Sequence, residues 1–248
     1  MTLGEKRGVD VKSLLESFCK VKSPKPWLQL QLFDDINQQS GCAVLYLLSS
    51  RPHDAMPFAS RVVEAGIEYF HGDWNQAWEK GVYKYTRADF RKLVWQPELL
   101  LSTGWAMALD RWEDARKLLD YVGPDLDAYT EPDRKAFWIA LRDFVSGKPP
   151  AEYEQLLRQS QKAKSKSHEW VHAAFDALIV GDAAAFHERL VAQFTAYAKR
   201  NRKPRLFSDA FNWYGSILYY VGLQRGTRVS LPPLESEFLL SFDQPKQD

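Results

Sequence analysis

Cysteine is scarce in this chain, with two residues in 248, Cys19 and Cys42. Two early thiols are too few for a framework of bridges, so a reduced, cytoplasmic chain is expected. Long hydrophobic runs are missing as well. The most apolar stretches, residues 43–48 and 213–223, fall well short of the roughly 20 residues that span a bilayer. The first ten residues are polar and charged, without the apolar core of a signal peptide, and no membrane association is expected. Neither sign of charge dominates. Thirty-three Lys and Arg oppose 32 Asp and Glu, a net charge of +1, so no global field draws the chain to nucleic acid or an anionic bilayer. There is no Gly-rich phosphate loop, no Gly-x-Ser-x-Gly elbow and no Cys-x-x-Cys. The carboxylate pairs Asp34-Asp35 and Glu113-Asp114 are adjacent in sequence, so on a helix they diverge instead of sharing a site. No catalytic residue, metal ligand or cofactor is assigned.

Aromatic residues are abundant: nine Trp, eleven Tyr and fourteen Phe within a 45% hydrophobic composition. That suits helices packed on both sides around a sizeable core. Five helix-stopping residues, Gly72, Asp110, Gly147, Gly181 and Gly222, lie 34 to 41 residues apart. Three positions before each stop stands a large residue: Tyr69, Met107, Phe144, Leu178 and Tyr219. Seven before it stands a small one: Ala65, Thr103, Ala140, Ala174 and Gly215. Positions four apart share a helix face, so each first helix offers a notch beside a knob. The spacing predicts an all-α chain, an irregular α-solenoid or array of helical hairpins with tetratricopeptide-like packing.

Residues 1–11 are expected to fray, and a short helix is expected over 13–20, broken by Ser23-Pro24-Lys25-Pro26. Residues 27–36 and 42–49 read as two further helices, with a buried strand the alternative for the second, because periodicity alone does not assign so short an apolar run. Together residues 1–56 form a segment packed on the array. The repeat domain covers 57–242, with Pro57 in the first turn of a helix over 58–71. The second helices open at Trp74-Asn75-Gln76-Ala77, at Trp112-Glu113-Asp114-Ala115, after Pro149-Pro150, and at Ala183. Beyond Gly226 the pattern ends. A last apolar turn or helix over 235–242, started by residues 231–234, is expected to cap the stack, and 243–248 to form a disordered tail.

The string His168-Glu169-Trp170-Val171-His172 places two imidazoles one helical turn apart, the arrangement of a zinc hydrolase with Glu169 as general base. A third ligand is wanting, because Phe175 and Leu178 stand where the longer motif has Gly and His. In the repeat register His172 aligns with Leu101, Trp138 and Trp213, all on a packing face. Packing is therefore the expected role, with zinc chemistry a lesser alternative.

Local charge is uneven. Residues 110–133 carry eight acids against three bases, whereas Lys199, Arg200, Arg202, Lys203 and Arg205 give five positive charges in seven residues. Solvated surface is the expected role of both, with phosphate or RNA binding the alternative for the basic loop, although few aromatics lie within it to stack bases. The acidic stretch also suits a surface that masks a basic, nucleic-acid-binding face of another protein.

Three stretches in the carboxyl-terminal third carry a resemblance: residues 170–186 (WVHAAFDALIVGDAAAF), 211–223 (FNWYGSILYYVGL) and 231–240 (LPPLESEFLL). They resemble the small helical immunity proteins that bacteria pair with polymorphic or contact-dependent toxins, of the immunity protein 49 and DUF1911-like types. The likeness extends in outline over residues 62–242. It implies a non-catalytic, cytoplasmic protein of interbacterial competition, such as that fought by type VI secretion. Its partner would be one cognate secreted toxin, a nuclease by expectation, with no direct contact to nucleic acid. The chain departs from nuclease-directed immunity proteins in being neutral. The expected partner-binding residues are Trp112, Glu113, Asp114 and Asp120, with Asp125 and Asp127 in the loop that follows. A tetratricopeptide-like scaffold for host peptides is the alternative.

Overall fold

The computed structural model describes residues 2–19, 28–72, 96–122, 132–149, 166–203 and 209–242. Among these every regular element is a helix: α1 (Leu3–Lys6), α2 (Val11–Phe18), α3 (Leu28–Leu48), α4 (Pro52–His71), α5 (Gln96–Ala108), α6 (Trp112–Leu119), α7 (Pro132–Val145), α8 (Lys166–Ile179), α9 (Ala183–Arg200), α10 (Trp213–Gln224) and α11 (Pro233–Ser236). The all-α expectation is met. The stops act by conformation: Asp110, Gly147 and Gly181 adopt left-handed φ of 58°, 75° and 77°. Each thereby turns the chain out of its helix while the following amide bonds back, as Arg111 N–H does to Ala106 C=O at 2.8 Å. Gly72 ends α4 differently, with extended backbone. The fifth stop is corrected. Gly222 lies inside α10, and the left-handed residue is Gly226, with φ of 80°. Gly222 serves close packing instead, since a Cβ there would lie 2.6 Å from Phe186 Cε1.

Several boundaries also move. The two expected helices over 27–36 and 42–49 are one continuous helix, α3. Helix α4 begins at Pro52, which takes the first-turn position assigned to Pro57, and Pro57 is inside the helix. The amino terminus is docked, not frayed. Thr2 and Glu5 form a capping box on α1, and Leu3, Gly4, Arg7 and Val11 are buried. The closing element is the turn of the two expected forms and starts earlier: α11 is a single turn at Pro233–Ser236, followed by buried Phe238 and Leu240. The expected second helix at Trp74 and the one after Pro150 lie outside the described residues, as does the 243–248 tail.

The cysteine reading is corrected too. Cys19 and Cys42 form a disulfide, with Cα atoms 5.9 Å apart. Helix α2 packs on α3, which brings together two thiols separated by 23 residues. Spacing in sequence carries no trace of that return.

The five small positions of the repeat are all buried, as are the knobs Tyr69, Met107 and Leu178. Helix α5 is the hub, packing on α3, α4, α6 and α10. Its Trp105, fully buried, donates from Nε1 to Ser40 Oγ on α3 at 2.9 Å. The same ring meets Trp213 of α10 edge-on at 5.6 Å and Phe242 at 5.8 Å. Gly104 makes room for this crossing, because a Cβ there would lie 2.9 Å from Trp213 Cε3. Contacts so distant in sequence go beyond stacking of successive hairpins.

Candidate partner-binding surface

Helix α6 follows Asp110, whose left-handed turn redirects the chain. Its sequence, WEDARKLL, separates the faces: Ala115, Leu118 and Leu119 are buried, while Glu113 and Lys117 are exposed. The inner face packs against α4 and α5. Acids in the first turn and bases in the last complement the helix dipole. The helix is therefore a fixed support for its outer residues.

The structure brings Trp112, Glu113 and Asp114 together at the start of this helix, with Asp120 exposed at its C-cap. Asp125 and Asp127 lie outside the described residues. Trp112 is half-buried, and its Nε1 donates to Asp110 Oδ1 at 2.7 Å. Arg111 Nε donates to Asp114 Oδ2 at 2.6 Å, and Arg116 Nη1 donates to Glu113 Oε1 at 3.2 Å. The Glu113 side chain remains 95% exposed. Arg111 and Arg116 were not among the expected site residues, yet each stands three positions from its acid, a spacing that brings side chains together on a helix. The outer face is thus a mixed patch of an aromatic, two acids and two arginines.

Elsewhere, buried polar groups serve packing. Asp35 is buried and accepts from Arg61 Nη2 at 2.9 Å, while its neighbour Asp34 is exposed, the divergence expected of adjacent residues. His172 is buried with its ring edge-on to Phe137 at 6.3 Å, on the same packing register as Leu101, Trp138 and Trp213, all of them buried. His168 and Glu169 lie on α8, and their side chains fall outside the described residues. Among the described residues no three His, Cys, Asp or Glu are grouped to hold a metal ion. Glu98, in the first turn of α5, is 1% exposed. Its Oε1 accepts from Asn37 Nδ2 at 3.2 Å, and its Oε2 has no hydrogen-bond partner among the described residues. Burial pushes this carboxyl above its usual range, outweighing the Asn37 and backbone hydrogen bonds that lower it. Burial, with the charge of Glu98, likewise raises the Tyr69 hydroxyl.

No described helix is long and apolar enough to cross a membrane. No family model, curated protein or solved structure matches the chain.

Proposed function

We propose that the chain is a cytoplasmic immunity protein that binds a cognate secreted toxin, a nuclease in the leading version, and blocks its active site or substrate access. What supports the reading is the outer face of α6. An aromatic side chain and both signs of charge are presented there on a helix whose inner face is fully buried. Protein interfaces draw most of their energy from such anchors, Trp and Arg above all, held on rigid supports. The two internal ion pairs change the electrostatic side of the proposal. Glu113 and Asp114 are opposed by Arg116 and Arg111, so the patch recognises a partner by exchanging pairs more than by a strong negative field.

The test is co-expression with the product of the neighbouring gene, since immunity genes adjoin their toxin genes. Expected are restored growth and a stoichiometric complex. Trp112→Ala, and Glu113→Lys with Asp114→Lys, should each weaken that complex by about tenfold or more. Absence of both rescue and complex formation would remove the immunity reading. Rescue with affinity and salt dependence untouched by both variants would keep the function and move the interface away from α6.

A further inference from the structure

Neutral in sum, the molecule compensates its charges unequally. Its described ion pairs are Lys6–Glu237, Arg51–Asp54, Arg61–Asp35, Arg111–Asp114, Arg116–Glu113 and Arg142–Asp143. None of them involves Lys199, Arg200, Arg202 or Lys203, all four of which are exposed. The sequence itself withholds compensation, with no acidic residue between Glu188 and Asp209. Helix-dipole stabilisation accounts for Lys199 and Arg200, which lie in the last turn of α9. It does not account for Arg202 and Lys203, which follow the C-cap Asn201.

The cluster sits on a fixed base. Tyr197 O–H donates to the Phe211 carbonyl at 2.9 Å, Thr195 Oγ1 donates to Glu235 Oε1 at 2.8 Å, and Ala198 is buried. Asn201 closes the helix by donating from its backbone and side-chain nitrogens to Tyr197 C=O. Acids nearby in the fold have other engagements. Glu235 receives Thr195, and Glu237 pairs with Lys6 at 3.4 Å.

We propose that residues 199–203 are a docking surface for an acidic polypeptide segment, a run of Asp and Glu on a partner protein. The surface is separate from α6 and does not depend on the immunity reading. Its form favours clustered carboxylates over nucleic acid. Four charges within five residues at one helix end make a compact focus, whereas a duplex is followed by cations spread along its backbone. Single strands are held by exposed aromatic rings. Tyr197, the aromatic residue nearest in sequence among those described, is engaged with Phe211 C=O and sits edge-on to Phe238 at 5.9 Å.

The experiment is a fluorescence-anisotropy titration of the full chain with labelled decaglutamate, and in parallel with a short RNA duplex, at low and physiological salt. Expected are salt-sensitive binding of the peptide and a loss of about tenfold or more in Arg202→Glu/Lys203→Glu. The neutralising pair Lys199→Gln/Arg200→Gln should lose less, since it adds no repulsion. Arg228→Glu, an exposed base elsewhere, should bind like the parent chain. The circular-dichroism spectrum should be the same for all. Absence of peptide binding at low salt would overturn the proposal, as would equal loss in Arg228→Glu. Tighter, cluster-dependent binding of the duplex would replace the acidic segment with nucleic acid.

Discussion

Glu98 shows how one residue ties stability to pH. Its carboxyl is buried in the first turn of α5, and burial raises its pKa above the ordinary carboxylate value of about 4.5. A raised carboxyl binds its proton more tightly in the folded chain than in the unfolded one. The unfolded state therefore releases that proton first, and stability falls as pH rises from about 4.5 towards the raised folded value. Above that value the penalty is constant. Glu98→Gln keeps an acceptor for Asn37 Nδ2 and removes the ionisation. It should raise the melting temperature at neutral pH and flatten its decline over that window, as thermal melts across a pH series would show. A melting temperature lowered at every pH would mean that the carboxyl is needed where it is. Gly104 and Gly222 illustrate steric control at the same scale. Each leaves space for an aromatic ring, Trp213 and Phe186 respectively, that a methyl group would occupy.

Among the elements, α2 and α3 carry a covalent tie that their amphipathic patterns do not announce. Cys42 is 1% exposed within α3, and Cys19 is half-buried at the end of α2. The bridge closes a loop of 23 residues, and cross-links of that size stabilise by about 3 kcal/mol through the entropy of the unfolded chain. Reduction with dithiothreitol, or Cys19→Ser, should lower the urea midpoint correspondingly. An unchanged midpoint would show that α2 is held by packing alone. The same measurement bears on localisation, because a cytoplasmic chain meets reductants that oppose the bridge.

Across the whole molecule, the two ends of the sequence are joined. Arg7 is 5% exposed, and its guanidinium donates to Ala210 C=O at 2.6 Å and Glu237 C=O at 2.7 Å. Its Cζ lies 3.9 Å from the centre of the Phe238 ring. Burial lowers its pKa to about 10, partly offset by the charge of Glu237, so the group stays positive at neutral pH. Arg7→Ala leaves two carbonyls without their donor and should cost on the order of 3 kcal/mol. Hydrogen exchange should then quicken both in residues 2–19 and in 209–242. Faster exchange at the amino terminus alone would show that the contact does not couple the ends.

What the sequence determined by itself was periodic. Small and large residues at matched offsets from Gly and Asp specify helices, their facing and most of their stops, because these follow from local geometry within a turn or two. The packing role of His172 was legible for the same reason, through its register with Leu101, Trp138 and Trp213. The place of Trp112, Glu113 and Asp114 at a helix start was legible as well, from the Asp110 stop. Other features belong to the tertiary structure: the Cys19–Cys42 bridge, the Arg7 contacts, the crossing of α5 with α10, and the burial of Glu98. Each depends on groups brought together from distant positions, or on exclusion of water by several helices at once, and no local pattern encodes either.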